Sequence, residues 1–353
     1  MSVQLNDLKD RNIVLVGGAG FIGHNLALEL KRLGAKVTIV DGLAVNNLYS
    51  FQKSQDTIPN AGLYLSIIDE RLRLLKEHGI PVIEADSRDY HKLCEVLGQI
   101  KPDTLVHLAA VAHANVSNKD PHTTFDHSLR TLENSLDIAR STAHQVKHFI
   151  YFSSSMVYGN FVTGVVDETT VCEPLGIYGA LKFAGEKMVI AYNQVFGLPY
   201  TIIRPSALYG ERCVSRRVGQ IFIENAMRGL EIAVNGDGSD RVDFTYIGDL
   251  VQGIVRTMQC DAAKNQIFNL TYGQSRSLAE MTEIIKKHFP EVGIKLLPKD
   301  RLMPDRGTLS VEKAKRMIGY DPQHPLEKGF IHYIEWYREL FKNLKPEVAA
   351  SLK

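Results

Sequence analysis

The chain has 353 residues, 44% hydrophobic and 23% charged, with 41 basic against 40 acidic side chains and a formal net charge of +1. That composition suits a globular chain with ample core. It offers no basic run for a nucleic-acid surface and no apolar stretch near the ~18 residues that suggest a membrane span. The cysteines Cys94, Cys172, Cys213 and Cys260 are scattered without a CxxC pair. They read as reduced thiols of a cytoplasmic protein, with no disulfide framework or zinc site. His113, His122, His127, His144 and His148 crowd one region, but their spacing suits surface helix positions better than metal ligands, and no metal is expected. The opening MSVQLNDLKDRN is too polar for a signal peptide.

Residues 12–16 (NIVLV) form a short apolar strand that runs into Gly17-Gly18-Ala19-Gly20-Phe21-Ile22-Gly23 and then a helical pattern closed by Gly34. Strand, glycine turn and helix together make a phosphate site: glycines let the backbone approach a pyrophosphate, and the helix start adds unpaired N–H groups. A second strand, 36–40, is followed by Asp41, whose carboxylate can accept bonds from adenosine ribose hydroxyls and would repel a 2′-phosphate. NAD is therefore expected over NADP. Residues 42–79 exceed a minimal crossover and read as an insertion that covers the cofactor edge or meets a partner. Within it SIIDERLRLLKEHG patterns as an amphipathic helix with Ile68, Leu72 and Leu75 on one face.

A third strand at 81–84 leads to Asp86, placed to face an adenine amino group, and a fourth at 104–108 runs through Leu108 into Ala109-Ala110, small residues that suit a flat cofactor ring. A helical stretch covers 123–143, and a fifth strand, 148–152, ends at Ser153-Ser154-Ser155-Met156. The run YGALKFAGEKMVIAY is helical, so Tyr178 and Lys182, four apart, share one side. A nearby ammonium favours a phenolate, which is a usable base near neutral pH. A sixth strand, 200–204, opens into Pro205-Ser206-Ala207-Leu208-Tyr209-Gly210, beyond which Pro and Gly turns multiply. Alternating strands and helices imply an α/β doubly wound parallel sheet with ligands at the C-terminal strand ends. The expected division is a dinucleotide-binding domain at 1–204, with 243–255 able to pack back on it, a smaller mixed α/β substrate domain at 205–346, and a frayed tail at 347–353.

Together GGAGFIG, Asp41, Asp86, HLAA at 107–110, SSSMVYG at 153–159, YGALK at 178–182, the RP…LYG loop at 204–210 and DFTYIGDLV resemble the extended short-chain dehydrogenase/reductases of the nucleotide-sugar epimerase/dehydratase group. The resemblance spans about residues 12–320 and implies a Rossmann-type fold, bound NAD and, commonly, a homodimer. It implies Tyr178 as the base that takes a proton from a sugar hydroxyl, Lys182 as the holder of the nicotinamide ribose, and Ser154 as a hydrogen-bond donor to the same sugar oxygen, with Ser155 beside it. It also implies cofactor contacts at Gly17, Gly20, Phe21, Ile22, Gly23, Asp41, Asp86, Leu108, Ala109, Ala110 and Pro205. For a nucleotide-diphosphate sugar it implies Ser206, Arg241 and Arg306, arginine matching phosphate oxygens in a fork.

Departures from the family pattern select the reaction. The 4,6-dehydratases carry an Asp and a Glu after that serine; here stand Ser155 and Met156, neither an acid nor a base at neutral pH. Decarboxylating relatives keep a Glu, and 3,5-epimerases a Cys, at the Met156 position. What remains is C4 inversion through a 4-keto sugar, which needs only a hydride shuttle. Beside it stand a 4-keto-sugar reductase or dehydrogenase on the same scaffold and a non-catalytic NAD-sensing protein, which would commonly have lost the Tyr or the Lys.

Overall fold

In the computed structural model, which describes residues 3–53, 58–141, 146–298 and 304–352, strand pairing builds one parallel sheet. Its strands are β1 (Asn12–Val16), β2 (Lys36–Asp41), β3 (Val82–Glu84), β4 (Thr104–His107), β5 (His148–Phe152), β6 (Tyr200–Arg204) and β7 (Gln266–Asn269). Their order is β7-β6-β5-β4-β1-β2-β3. The order reverses between β1 and β4, and a doubly wound sheet opens a crevice at the C-terminal ends where that happens.

The central strands are short apolar runs because both faces are covered: every residue of β4, β5 and β6 is buried. Alternation along β1 divides the core. Ile13 and Leu15 pack with Leu26, Leu30, Ile39 and Ile203 on one face. Val14 and Val16 pack with Leu105, Leu132, Leu136 and Phe149 on the other. A separate core joins Tyr209, Phe222, Tyr333 and Tyr337 to Phe51, Leu63, Tyr64 and Ile67. The 42–79 insertion thus packs onto the later part of the chain, through helices Leu48–Lys53 and Ala61–Glu77.

Several sequence expectations change. The inserted helix starts at Ala61, directly after Asn60 in the left-handed region (φ 64°), so the Pro59-Asn60 turn introduces it. Ile68 and Leu75 are buried as expected and Leu72 half-buried. The sheet has a seventh strand, β7, which pairs in parallel with β6 from within residues 205–346. Helix Ile247–Gln259 buries Leu250 and Ile254 in the same core as Leu15 and Leu26. A cut at residue 204 therefore does not follow the sheet. Nor is the tail frayed over its described length: Pro346–Ser351 is helical, Leu352 is buried, and its carbonyl accepts from Arg228 Nε at 2.8 Å. His148 is no surface helix residue; it lies buried on β5 and bonds Thr201 Oγ1 through Nε2 at 2.8 Å. His144 falls outside the described residues. Among those residues no helix is long and apolar enough to cross a membrane.

Candidate active site

The glycine turn sits where β1 meets the crevice. Gly17 has φ 77°, and a Cβ there would lie 2.5 Å from the Ala109 backbone nitrogen, so the turn presses against the end of β4 only as glycine. Gly20 caps helix Phe21–Arg32 without a side-chain hydrogen bond, and the first turn holds no acid. A Cβ on Gly20 would meet only the Gly17 carbonyl oxygen, at an ordinary contact distance of 3.7 Å, so the helix start is uncrowded. Open room, free N–H groups and the positive helix end fit the pyrophosphate of a dinucleotide. At the end of β2, Asp41 accepts from Ala19 N at 2.9 Å and from Leu43 N at 2.8 Å. Burial pushes its carboxyl up from the ordinary range, and these two N–H groups pull it down.

One cavity brings together Gly17, Gly20, Phe21, Ile22, Gly23, Asp41, Asp86, Leu108, Ala109 and Ala110, ten of the expected cofactor residues. Asp86 also pairs with Arg88 at 2.6 Å. Pro205 does not line this cavity; its carbonyl accepts from Ser155 N at 2.9 Å. The cavity further takes in Arg71, His127, Ser215 and Arg217. For Arg71 a signal existed: it sits three residues from Ile68 and four from Leu75, a charge on the apolar face of its helix. Arg217 carried no signal beyond the Arg216-Arg217 doublet.

Tyr178, Lys182 and Ser154 lie outside the lining of that cavity, on the elements beside it. Ser154 caps the short turn Ser155–Tyr158, its Oγ accepting from Met156 N at 3.2 Å. Helix Gly176–Phe196 packs against this turn closely: a Cβ on Gly179 would lie 2.9 Å from the Met156 carbonyl oxygen. Tyr178 is half-buried on the helix's first turns, and Lys182 follows one turn later, buried, with Nζ donating to the Phe152 carbonyl at 2.7 Å. Burial pushes the Lys182 ammonium down to about 8, and Glu186 pulls the other way. Glu186 accepts from Arg204 twice, Nε at 2.8 Å and Nη2 at 2.7 Å, and from Ser153 Oγ. Arg204 Nη1 donates to Tyr158 at 2.9 Å, and Tyr158 donates to Asn269 at 2.8 Å. This buried chain joins the ends of β5, β6 and β7 to the Tyr178 helix.

The later residues divide. Ser155 and Ser206 are buried. Arg241 is exposed on a strand edge and donates to the Ser275 carbonyl at 2.7 Å and toward Glu280 at 3.4 Å. Arg306 is pushed down to about 10 by burial and by the charge of Arg217, with Asp240 acting oppositely. Arg217 also donates to the Ala112 carbonyl at 3.2 Å. Arg212 does not line the cavity: Nε donates to His24 Nε2 at 3.0 Å and Nη2 to Asn25 Oδ1 at 3.1 Å. Burial, with the charges of Arg71 and Arg212, holds His24 well below its usual pKa, so it accepts as a neutral ring.

The family model for the NAD dependent epimerase/dehydratase family matches residues 13–271. An uncharacterised Methanocaldococcus jannaschii protein is 28% identical over 94% of this chain and 98% of its own length. UDP-glucuronate 4-epimerase 1 of Arabidopsis thaliana is 27% identical over 95% of this chain and 79% of its own length. Among solved structures, UDP-glucuronic acid 4-epimerase from Bacillus cereus, in complex with UDP-glucuronic acid and NAD, shares the fold: TM-score 0.82 at 23% identity, covering 93% of this chain and 99% of that one.

Proposed function

Since this chain belongs to the NAD dependent epimerase/dehydratase family and is an enzyme that uses NAD, we propose that it inverts C4 of a nucleoside-diphosphate sugar. The observation that carries this reading is the turn after β5. Ser155 and Met156 follow Ser154 there, and neither side chain moves a proton at neutral pH. Glu186, the carboxylate buried next to that turn, is taken up by Arg204 and Ser153. A dehydration needs an acid and a base beyond the group that assists hydride transfer; inversion at C4 does not.

In this reading Tyr178 takes the proton of the C4 hydroxyl, and Lys182, one helical turn on, holds the nicotinamide ribose. Ser154 hydrogen-bonds the same sugar oxygen. NAD, when bound, supplies the site that accepts the C4 hydride and gives it back. Tyr178 then returns the proton once the keto sugar has presented its other face, so neither proton nor hydride is lost over a cycle. Arg306 and Arg217 serve the diphosphate, their forks matching its oxygens. Arg241 joins them from beside Asp240, with Ser155 and Ser206 toward the sugar. A homodimer through helix Gly176–Phe196, which leaves Val195 and Phe196 exposed, belongs to the same reading.

Because UDP-glucuronate names both the Arabidopsis relative and the Bacillus cereus structure, that sugar heads the panel of UDP-, GDP-, CDP- and dTDP-sugars to be followed by NMR. The expected product differs in configuration at C4 alone, with no NADH accumulating. Stoichiometric NADH, or a dehydrated product, overturns the reading. Tyr178→Phe should abolish turnover while NAD stays bound.

A further inference from the structure

Arg71 is 1% exposed, yet it stands among Ile67, Ile68 and Leu75 on the inserted helix Ala61–Glu77. Only part of its guanidinium is satisfied. Nε donates to the Arg212 carbonyl at 2.8 Å and Nη2 donates to the same oxygen, but Nη1 has no partner among the described residues. A buried cation with an unmade bond is costly, and chains seldom keep one without a ligand to complete it. Arg71 lines the cavity that also holds Gly20, Gly23 and Asp41. Asp41 lies near enough for its charge to act on Arg71, but no hydrogen bond joins the two, and Nη1 stays without an acceptor among the described residues.

The position of Arg71 identifies what is missing. The residue whose carbonyl it holds, Arg212, is itself bonded to His24 and Asn25, in the opening turns of helix Phe21–Arg32. Arg71 is therefore fastened beside the uncapped helix start, where backbone N–H groups already await an anion. We propose that Arg71 is a cofactor-binding residue, its Nη1 donating to the pyrophosphate of the bound dinucleotide opposite the glycine turn. The insertion then supplies half of the phosphate grip, and its packing on the later part of the chain is what holds Arg71 in reach. This inference rests on the use of NAD and is independent of which sugar is converted.

The test uses the full chain freed of nucleotide, with ADP and adenosine titrated by calorimetry, and the NAD carried through purification measured per chain. Arg71→Met keeps the length of the side chain and removes the charge. It should bind ADP roughly ten- to a hundredfold more weakly, as expected for loss of a charge-assisted bond. Adenosine, which lacks the phosphates, should bind as to the wild type, and less NAD should co-purify. Equal ADP binding by variant and wild type overturns the proposal, as does equal weakening toward ADP and adenosine, which would mark a purely structural residue. Should Arg71→Met fail to fold, Arg71→Lys decides. It keeps the charge without the fork that reaches the Arg212 carbonyl and a phosphate together, so ADP alone should weaken, and unchanged ADP binding overturns the proposal. A wild type that binds no ADP overturns the cofactor site itself, and this proposal with it.

Discussion

Lys182 holds its ammonium against the Phe152 carbonyl at 2.7 Å. Its pKa falls from 10.5 in a free side chain to about 8 in the fold, first through burial. Between those values the unfolded chain binds more protons, so the residue's contribution to stability grows as pH rises through that window. Activity runs the other way, because the ammonium is the working form. The free-enzyme kcat/KM should fall as pH rises through about 8. Lys182→Met should lose most turnover and, with it, that limb of the profile; a retained limb would assign it elsewhere. Close packing gives a second prediction. Gly179→Ala would set a Cβ 2.9 Å from the Met156 carbonyl oxygen, a backbone atom that cannot rotate aside. The helix must shift relative to Ser154, and a displacement of that kind should cost roughly 10–100-fold in kcat. Steady-state kinetics beside a melting curve separates this from unfolding. Tyr178, Lys182 and Ser154 were legible as motifs because their spacing is local. Arg71 showed in the sequence only as a charge on an apolar helix face; what it does depends on the Arg212 carbonyl, 141 positions away.

The insertion, the helix Val218–Met227 and the helix Leu326–Lys342 meet on Glu224. Its buried carboxylate accepts from Tyr64 at 2.7 Å, Asn60 at 3.1 Å, Gln220 at 2.8 Å and Tyr337 at 2.8 Å. All four partners donate. Glu224→Gln turns an NH2 toward donors and leaves a buried group unmatched, at a cost of about 1–3 kcal/mol. Urea unfolding of the variant measures it; an unchanged midpoint would show that the node bears no weight. Periodicity marked the helix from Ser66, yet it begins five residues earlier, at Ala61, directly behind the Pro59-Asn60 turn. β7 escaped for a different reason: Gln266–Asn269 has two apolar residues between polar ends, and it is a strand because the open edge of β6 offers it backbone partners.

Across the whole molecule, Asp243 ties the later part of the chain together below the surface. It accepts from Thr271 Oγ1 at 3.1 Å, Gly273 N at 3.2 Å and Leu309 N at 3.1 Å. Burial raises its pKa from 3.8 to about 7 against the pull of those bonds. Between these values the folded chain binds more protons than the unfolded one. The residue's contribution to stability therefore falls as pH rises through the window and stays low above about 7. Asp243→Asn lacks this titration, so the stability of wild type relative to variant should decline from pH 4.5 to 8 in denaturant titrations. A difference that stays constant with pH would refute the assignment. The sequence by itself determined the doubly wound parallel class, the glycine turn with Asp41 after β2, and the four-residue spacing of Tyr178 and Lys182 on one helix, since each is written in neighbouring residues whose periodicity or backbone freedom is local. Only the tertiary structure decided that residues past 204 complete the sheet, that Arg71 of the insertion lines the same cavity as the glycine turn, and that the Lys182 amine reaches the Phe152 carbonyl. Those outcomes depend on which buried polar groups find partners across distant segments, and distant pairing leaves no period in the chain.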